Sequence, residues 1–277
     1  MTGDRIDPAL EGVPETMLWT LYHRAVEARR PDAILHDPVA VELVERIDYP
    51  FAERFGPGSF ARWQALRVRA FDREVQRFMA ARPGGTVVAL GEGLETELQR
   101  VDDGRVRWVG VDLPETVAIR RRLLPDPPRR TTIAASALDV DAWAGAVDAS
   151  GGVLLTAQGL LMYLDPPDVH RLIAACAARF PGAALVFDAV PRWLASLNRA
   201  AAERSAPGAY RAPPWTWTFD RAEARRIAAL PGVAHLRPRS LPRGSDVLHG
   251  FVLPLATRTP GIRTALLSVH VAVFRTP

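Results

Sequence analysis

Along this chain the apolar positions change their period. From Glu15 to Arg29 they recur at helical spacing (Met17, Leu18, Leu21, Tyr22, Ala25), and Pro31 follows the end of that run. Pro38 to Arg46 reads as a second, short helix, with Asp37 as cap and Pro38 in its first turn. A long amphipathic helix follows from Phe60 to Ala81 and closes at Pro83-Gly84-Gly85. Beyond it, short β-branched runs alternate with helical stretches. The spacing predicts strands over 86–91, 106–112, 131–134, 152–157 and 183–189, with helices near 94–100, 114–124, 140–147 and 166–180. Such alternation demands a parallel sheet with helices on both faces.

After the fifth strand the pattern changes. Pro191 to Trp217 is rich in Pro, Ala, Arg and Trp, and reads as an insertion over the carboxyl edge of the sheet. A helix over 220–229, a short strand over 234–239 and a final alternating strand over 266–274 are expected next. The proline-rich stretch 240–264 has no clear assignment. The chain thus divides into a helical cap (1–82), a core (83–190), a lid insertion (191–219) and a C-terminal completion of the sheet (220–277).

The chemistry concentrates where the first two strands end. Val87-Val88-Ala89-Leu90 runs into Gly91-Glu92-Gly93, where glycines allow a tight turn and a close approach of backbone N–H groups to a ligand. The second strand delivers Asp112 to its own carboxyl end. In a doubly wound sheet this spacing sets a carboxylate over the ribose hydroxyls of a bound nucleoside. Thr96 stands where a dinucleotide fingerprint needs a small residue, so a cofactor without a pyrophosphate fits better.

Composition narrows the picture further. Of 277 residues, 48% are hydrophobic, enough for a large core, and no apolar run reaches the roughly 18–20 residues of a membrane span. The N-terminus lacks an apolar signal core, which points to the cytoplasm. Cys176 is the single cysteine, so a disulfide within the chain and a cysteine metal cluster are excluded, and no metal site is expected. The net charge is +4, yet there is no lysine at all. Arg120-Arg121-Arg122 and Arg129-Arg130 carry no interleaved aromatics and read as solvated faces rather than a nucleic-acid footprint.

Six segments in order carry a family resemblance: Glu15-Thr-Met-Leu-Trp-Thr-Leu-Tyr-His-Arg-Ala25, His36-Asp-Pro-Val-Ala-Val-Glu-Leu-Val44, Arg67-Val-Arg-Ala-Phe-Asp72, Leu90-Gly-Glu-Gly-Leu-Glu-Thr96, Val111-Asp-Leu-Pro114 and Gln158-Gly-Leu-Leu-Met-Tyr-Leu164. The chain resembles class I S-adenosylmethionine-dependent methyltransferases of the leucine carboxyl methyltransferase type, on their bacterial polyketide O-methyltransferase branch. The resemblance implies an α/β, Rossmann-like sheet of seven strands, the last antiparallel, under a helical cap. It implies S-adenosyl-L-methionine as cofactor and a small, polyketide-like molecule as partner, methylated on a carboxylate or hydroxyl.

Residue by residue, the resemblance assigns Gly91 and Gly93 to the methionine part of the cofactor, Asp112 to the ribose, and Ala137 and Leu138 to the adenine. Arg67 would pair with the cofactor carboxylate, with Arg24 as a second basic group nearby. Gln158 sits where relatives carry glutamate facing the methionine end, and Glu97 stands where many carry arginine. Both swaps leave open a cofactor-binding protein with other chemistry or no turnover.

The residues themselves name no catalytic base. Tyr163 and His23 are weak candidates, His36 belongs to a helix start, and His170 is expected on an exposed helical face. Tyr163 with Tyr210, Trp215 and Trp217 of the lid are candidates for substrate contact. An ionised carboxylate needs no base, whereas a phenol near pKa 10 gains from one, so the lack of a base favours carboxyl methylation. An NAD-linked oxidoreductase remains the alternative of another class, although its glycine loop would ordinarily lie near the N-terminus.

Overall fold

The first strand is apolar on both faces, and all five residues of β1 (Thr86–Leu90) are buried, as a central parallel strand requires. The computed structural model describes residues 5–8, 12–204, 210–242 and 266–276. Around β1 lie β2 (Arg107–Asp112), β3 (Arg130–Ala134), β4 (Val153–Ala157), β5 (Ala184–Ala189), β6 (Val233–Arg239) and β7 (Ser268–Phe274). They form one seven-stranded sheet in the order β3-β2-β1-β4-β5-β7-β6. The first five strands pair in parallel, and β7 runs antiparallel to both β5 and β6. The chain order reverses between β1 and β4. At that switch point the crevice outside the carboxyl ends is where ligands bind in such sheets.

Ten α-helices are described: α1 (Thr16–Ala28), α2 (Pro38–Arg46), α3 (Phe51–Phe55), α4 (Ala61–Ala81), α5 (Glu97–Val101), α6 (Pro114–Leu123), α7 (Val140–Ala144), α8 (Pro166–Arg179), α9 (Arg192–Arg204) and α10 (Arg221–Ala228). Asp37 caps α2, its side chain accepting from the Ala40 N–H at 3.0 Å, as the Asp-Pro pair predicts. Two differences from the sequence reading stand out. The insertion contains a full helix, α9, and α5 begins only at Glu97 because the loop before it is bound to neighbours (below). Most of 240–264 lies outside the described residues.

One face of the sheet packs α7, α8 and the aromatics Trp143, Phe187, Trp217 and Phe219; the other packs α4 with Trp108 and Val186. The N-terminal helices have a core of their own, in which Leu18, Leu21 and Leu43 meet Leu94, Ile119 and Leu123. That contact seats the cap on the glycine loop and on α6. No described helix is long and apolar enough to cross a membrane.

Candidate active site

The glycine loop is held from three sides. Gly91 and Gly93 both take positive φ, 61° and 56°, which side chains rarely adopt. A Cβ on Gly93 would stand 2.9 Å from Met17 Cβ of α1, so the cap helix itself demands glycine there. From α6, Arg120 Nη1 donates to the Gly93 and Glu95 carbonyls at 2.7 and 2.8 Å. Arg120 is 1% exposed, and burial lowers its pKa to about 10. The first arginine of the triplet is therefore a loop anchor, correcting its reading as a solvated face. Arg130 is likewise no solvated group: it is buried at the start of β3 and paired with Glu92 and Asp126.

Beneath the loop, Glu92 accepts from Trp108 Nε1 and Arg130 Nη1, both at 3.0 Å. The pair occupies space that Gly110 leaves open: a Cβ there would lie 2.6 Å from Arg130 Nη2 and closer still to the Glu92 carboxylate. Gly110→Ala should accordingly destabilise the fold by about 1–3 kcal/mol through overpacking. A thermal midpoint unchanged in that variant would show that the pair is not confined.

Asp112 ends β2 as the sequence suggests and meets the loop directly. Its Oδ2 accepts from Gly93 N at 2.6 Å and its Oδ1 from Leu113 N at 2.8 Å. Burial outweighs these bonds and raises its pKa to about 6. Leu113 and Leu138, 38% and 39% exposed, are among the few large apolar side chains left open to solvent. Both flank Asp112: Leu113 follows it, and the loop carrying Ala137 and Leu138 is tied to it by Ala135 N donating to Asp112 O at 2.9 Å. Ala137 is buried, and its carbonyl accepts from Trp143 Nε1 at 3.2 Å.

Across the loop, Gln158 follows β4. Its Nε2 donates to Glu95 at 3.2 Å, while its Oε1 is buried without a hydrogen-bond partner. Beside it, Asp188 at the end of β5 accepts from Gly159 N at 2.7 Å and from Arg67 Nη1 at 2.9 Å. Arg67 Nε is buried and unpartnered as well. One orphaned acceptor and one orphaned donor at adjoining positions match the ammonium and carboxylate of an amino acid. These two atoms, with the Asp112 carboxylate, make the site fit S-adenosylmethionine. Asp188 was missed by the sequence reading, though an apolar strand ending in Asp is the signal that marked Asp112.

Arg24 departs from the expectation. Its guanidinium is 1% exposed and spent on Asp37 at 3.2 Å, Glu95 at 2.9 Å and the Leu94 carbonyl at 2.7 Å. It secures the loop rather than facing a ligand. Arg100 joins the same cluster, reaching Asp37 at 3.0 Å, Asp72 at 2.9 Å and Glu95 at 2.8 Å. Glu95 is thereby held ionised, its pKa lowered to about 2 despite burial, by Arg24 and Arg100. Glu97 is 2% exposed, and burial beside Asp72 and Glu95 pushes its pKa well above the ordinary value.

The lid aromatics separate. Trp217 is 1% exposed, packed on Phe187 and Phe219, with Nε1 donating to Glu223 at 2.8 Å. It is a core residue, which corrects its assignment to substrate. Tyr163, in a short 3-10 turn over Leu161–Tyr163, is half-buried beside Trp215, Thr16 and Arg67, and its desolvation raises its pKa. Tyr210 faces the same region, its ring edge-on to Phe55 at 4.9 Å, and its pKa is raised by burial and by Tyr163, Glu15 and Tyr49. Glu15 there is tied to Arg54 at 2.6 Å and to the Tyr49 hydroxyl.

His23 does not join them. It lies about 100–120° around α1 from Arg24 and Met17, against Trp19 and Phe60, with Nδ1 2.8 Å from the Trp19 carbonyl and its pKa lowered by burial. His170 is not free on a helical face either, since its Nε2 lies 2.7 Å from Glu223. Among the described residues no group of three or more His, Cys, Asp or Glu could hold a metal.

A glycine loop at the switch point of a seven-stranded sheet whose last strand is antiparallel, with the Asp112 carboxylate beside it, is the architecture of a class I S-adenosylmethionine-dependent methyltransferase. The sequence pattern of the leucine carboxyl methyltransferase family matches residues 17–177, and the chain belongs to that family. It is 35% identical over 185 residues to the tetracenomycin polyketide synthesis O-methyltransferase TcmP of Streptomyces glaucescens, covering 66% of this chain and 68% of that protein. It is 29% identical over 199 residues to the S-adenosyl-L-methionine-dependent methyltransferase dpfgK of Gibberella zeae, covering 65% and 66%. The matched region thus spans about two thirds of these relatives. The fold is also similar to that of a possible exported protein from Bordetella parapertussis, with TM-score 0.54, 21% identity and coverage of 94% of this chain and 79% of that one. With the family established, the NAD-linked alternative falls.

Proposed function

We propose that the chain transfers the methyl group of S-adenosylmethionine to a carboxylate oxygen of a small, planar, polyketide-like molecule. Bound at the site, the cofactor supplies an electrophilic methyl group on a sulfonium, so the chain's task is positioning and exclusion of water. Asp112 would hold the ribose diol, Gln158 Oε1 the ammonium and Arg67 the carboxylate, while Leu113 and Leu138 would flank the adenine. Ala137 would shape the adenine loop, and Gly91 and Gly93 would let the backbone approach.

The carrying observation is the state of the side chains around Tyr163. Burial keeps Tyr163 and Tyr210 protonated, so both are donors and neither is a base. The neighbouring carboxylates are already paired, Glu15 with Arg54 and Asp188 with Arg67. A pocket of donors favours an acceptor that arrives ionised, which a carboxylate is at neutral pH. The likeness to an enzyme of tetracenomycin polyketide synthesis supports the substrate class.

Incubation with methyl-labelled S-adenosylmethionine and a panel of aromatic carboxylic acids and phenols tests the reading. Label should enter a base-labile methyl ester, with one S-adenosylhomocysteine formed per methyl. A base-stable aryl methyl ether would move the reaction to a hydroxyl. Methylthioadenosine, or no product, would replace methyl transfer by other chemistry or by binding alone.

A further inference from the structure

Three segments of the chain meet on one carboxylate at the carboxyl edge of the sheet. Asp188 is fixed in β5 by its pairing with Val269 of β7, one residue beyond the last pair with β4, Ala157 with Phe187. Its side chain is buried. Oδ1 accepts from Gly159 N at 2.7 Å, and Oδ2 accepts from Arg67 Nη1 at 2.9 Å. The two oxygens thus tie α4 to the loop after β4.

Each residue of the tied segment 158–160 touches a different part of the site. Gln158 Nε2 donates to Glu95 at 3.2 Å. Gly159 takes a φ of 69°, and a Cβ there would stand 2.9 Å from Arg67 Nη1. Leu160 packs on the glycine loop, since a Cβ on Gly91 would stand 2.9 Å from Leu160 Cδ1. An ion pair that served the fold alone would have its neighbours' donors and acceptors satisfied inside the protein, because each buried polar atom left over is a cost to folding. Here two are left over among the described residues, and they flank the two bonds that Asp188 makes. Nε belongs to the guanidinium that Asp188 holds, and Gln158 Oε1 to the residue before the amide it accepts from.

We propose that Asp188 is a positioning residue for the amino-acid end of the cofactor, acting through Arg67 and the 158–159 peptide rather than by touching the ligand. The adenosyl end, at Asp112, does not depend on it. Asp188 therefore separates ligands that carry the amino-acid group from those that lack it. This assignment rests on the methyl-transfer reading above.

Calorimetry with S-adenosylhomocysteine and with methylthioadenosine, which lacks the amino-acid group, tests the proposal. Asp188→Asn keeps an oxygen for Gly159 N but turns an amide NH2 toward Arg67 Nη1, donor against donor. In that variant S-adenosylhomocysteine affinity should fall at least about tenfold, while methylthioadenosine affinity stays within about twofold. Arg67→Met should show the same split, and adding Asp188→Asn to it should cost less than a further factor of about two. Gly159→Ala crowds the same guanidinium without altering the carboxylate; it should reproduce the split, and it decides the matter should Asp188→Asn not fold. Equal losses for both ligands would make Asp188 a part of the fold alone. Unchanged or tighter S-adenosylhomocysteine binding would mean that Arg67 is correctly placed without it. Either result overturns the proposal. Should S-adenosylhomocysteine fail to bind the wild type, the methyl-transfer reading falls and takes the role of Asp188 with it. Should it bind, the ratio of the two affinities judges Asp188 alone.

Discussion

Asp112→Ala is expected to weaken S-adenosylhomocysteine binding by about 1.5–3 kcal/mol, the worth of charge-assisted hydrogen bonds, which is roughly 10- to 100-fold in Kd. The structure adds a pH dependence. Burial raises the Asp112 pKa to about 6, so the fold disfavours its ionised form. A diol donates to the carboxylate and favours ionisation, so binding should release a proton and weaken as pH drops below about 6. The sign for stability is opposite. A carboxyl raised above its unfolded value of about 3.9 contributes stability below that value, and the contribution is lost as pH rises through about 6. The ligand-free protein should therefore gain less stability between pH 7 and pH 5 once Asp112 is replaced by Asn. Calorimetric titrations and melting curves at those two pH values check both signs, and an unchanged Kd in a folded Asp112→Ala variant would take this residue out of the site.

Glu95→Gln and Glu97→Gln, two positions apart, should behave in opposite ways. Glu95 is an ionised carboxylate between Arg24 and Arg100, with its pKa lowered to about 2. Neutralising it leaves two buried guanidiniums short of a partner, a loss of about 3–5 kcal/mol. Its contribution to stability is present above the unfolded pKa and disappears only as pH falls toward 2. Burial raises the Glu97 pKa well above its ordinary value, so this acid costs stability at neutral pH, and the isosteric amide should leave stability there unchanged or raise it. Because its pKa is raised, Glu97 contributes stability below the unfolded glutamate value of about 4.3 that is lost as pH rises from there through the raised value, and Glu97→Gln should flatten the decline. Denaturant midpoints for the two variants decide the matter: equal losses would mean that Glu97 is ionised and that Arg100 serves both acids.

The contrast explains how a glutamate is tolerated at a position where the family resemblance leads one to expect arginine. Positive charge reaches the loop from Arg100, one helical turn further along α5, and from Arg24 on α1. The loop's ionic balance is met by tertiary neighbours, so the departure at Glu97 does not by itself argue against cofactor binding. Gln158 is different, since its buried Oε1 remains an acceptor for an ammonium while contributing no charge.

Strand identity, the glycine loop and Asp112 were legible in the sequence because each depends on short-range chemistry: β-branched runs, positive φ and an acid ending an apolar strand. The same rule would have found Asp188. Periodicity also gave the cap helices and the cap of α2, since both are properties of neighbours in sequence. Which arginines are solvated was not legible. Arg24, Arg120 and Arg130 look like any surface arginine along the chain, and only the packing of α1, α6 and β3 around residues 92–95 buries them and spends their donors on the loop. The lid tryptophans divide for the same reason: alternation along an extended segment would place residues two apart on one face, yet Trp215 neighbours Tyr163 while Trp217 is packed in the core. A sequence encodes period and chemical type; direction, burial and the pairing of charges arise only when distant segments converge, because those energies depend on what displaces water.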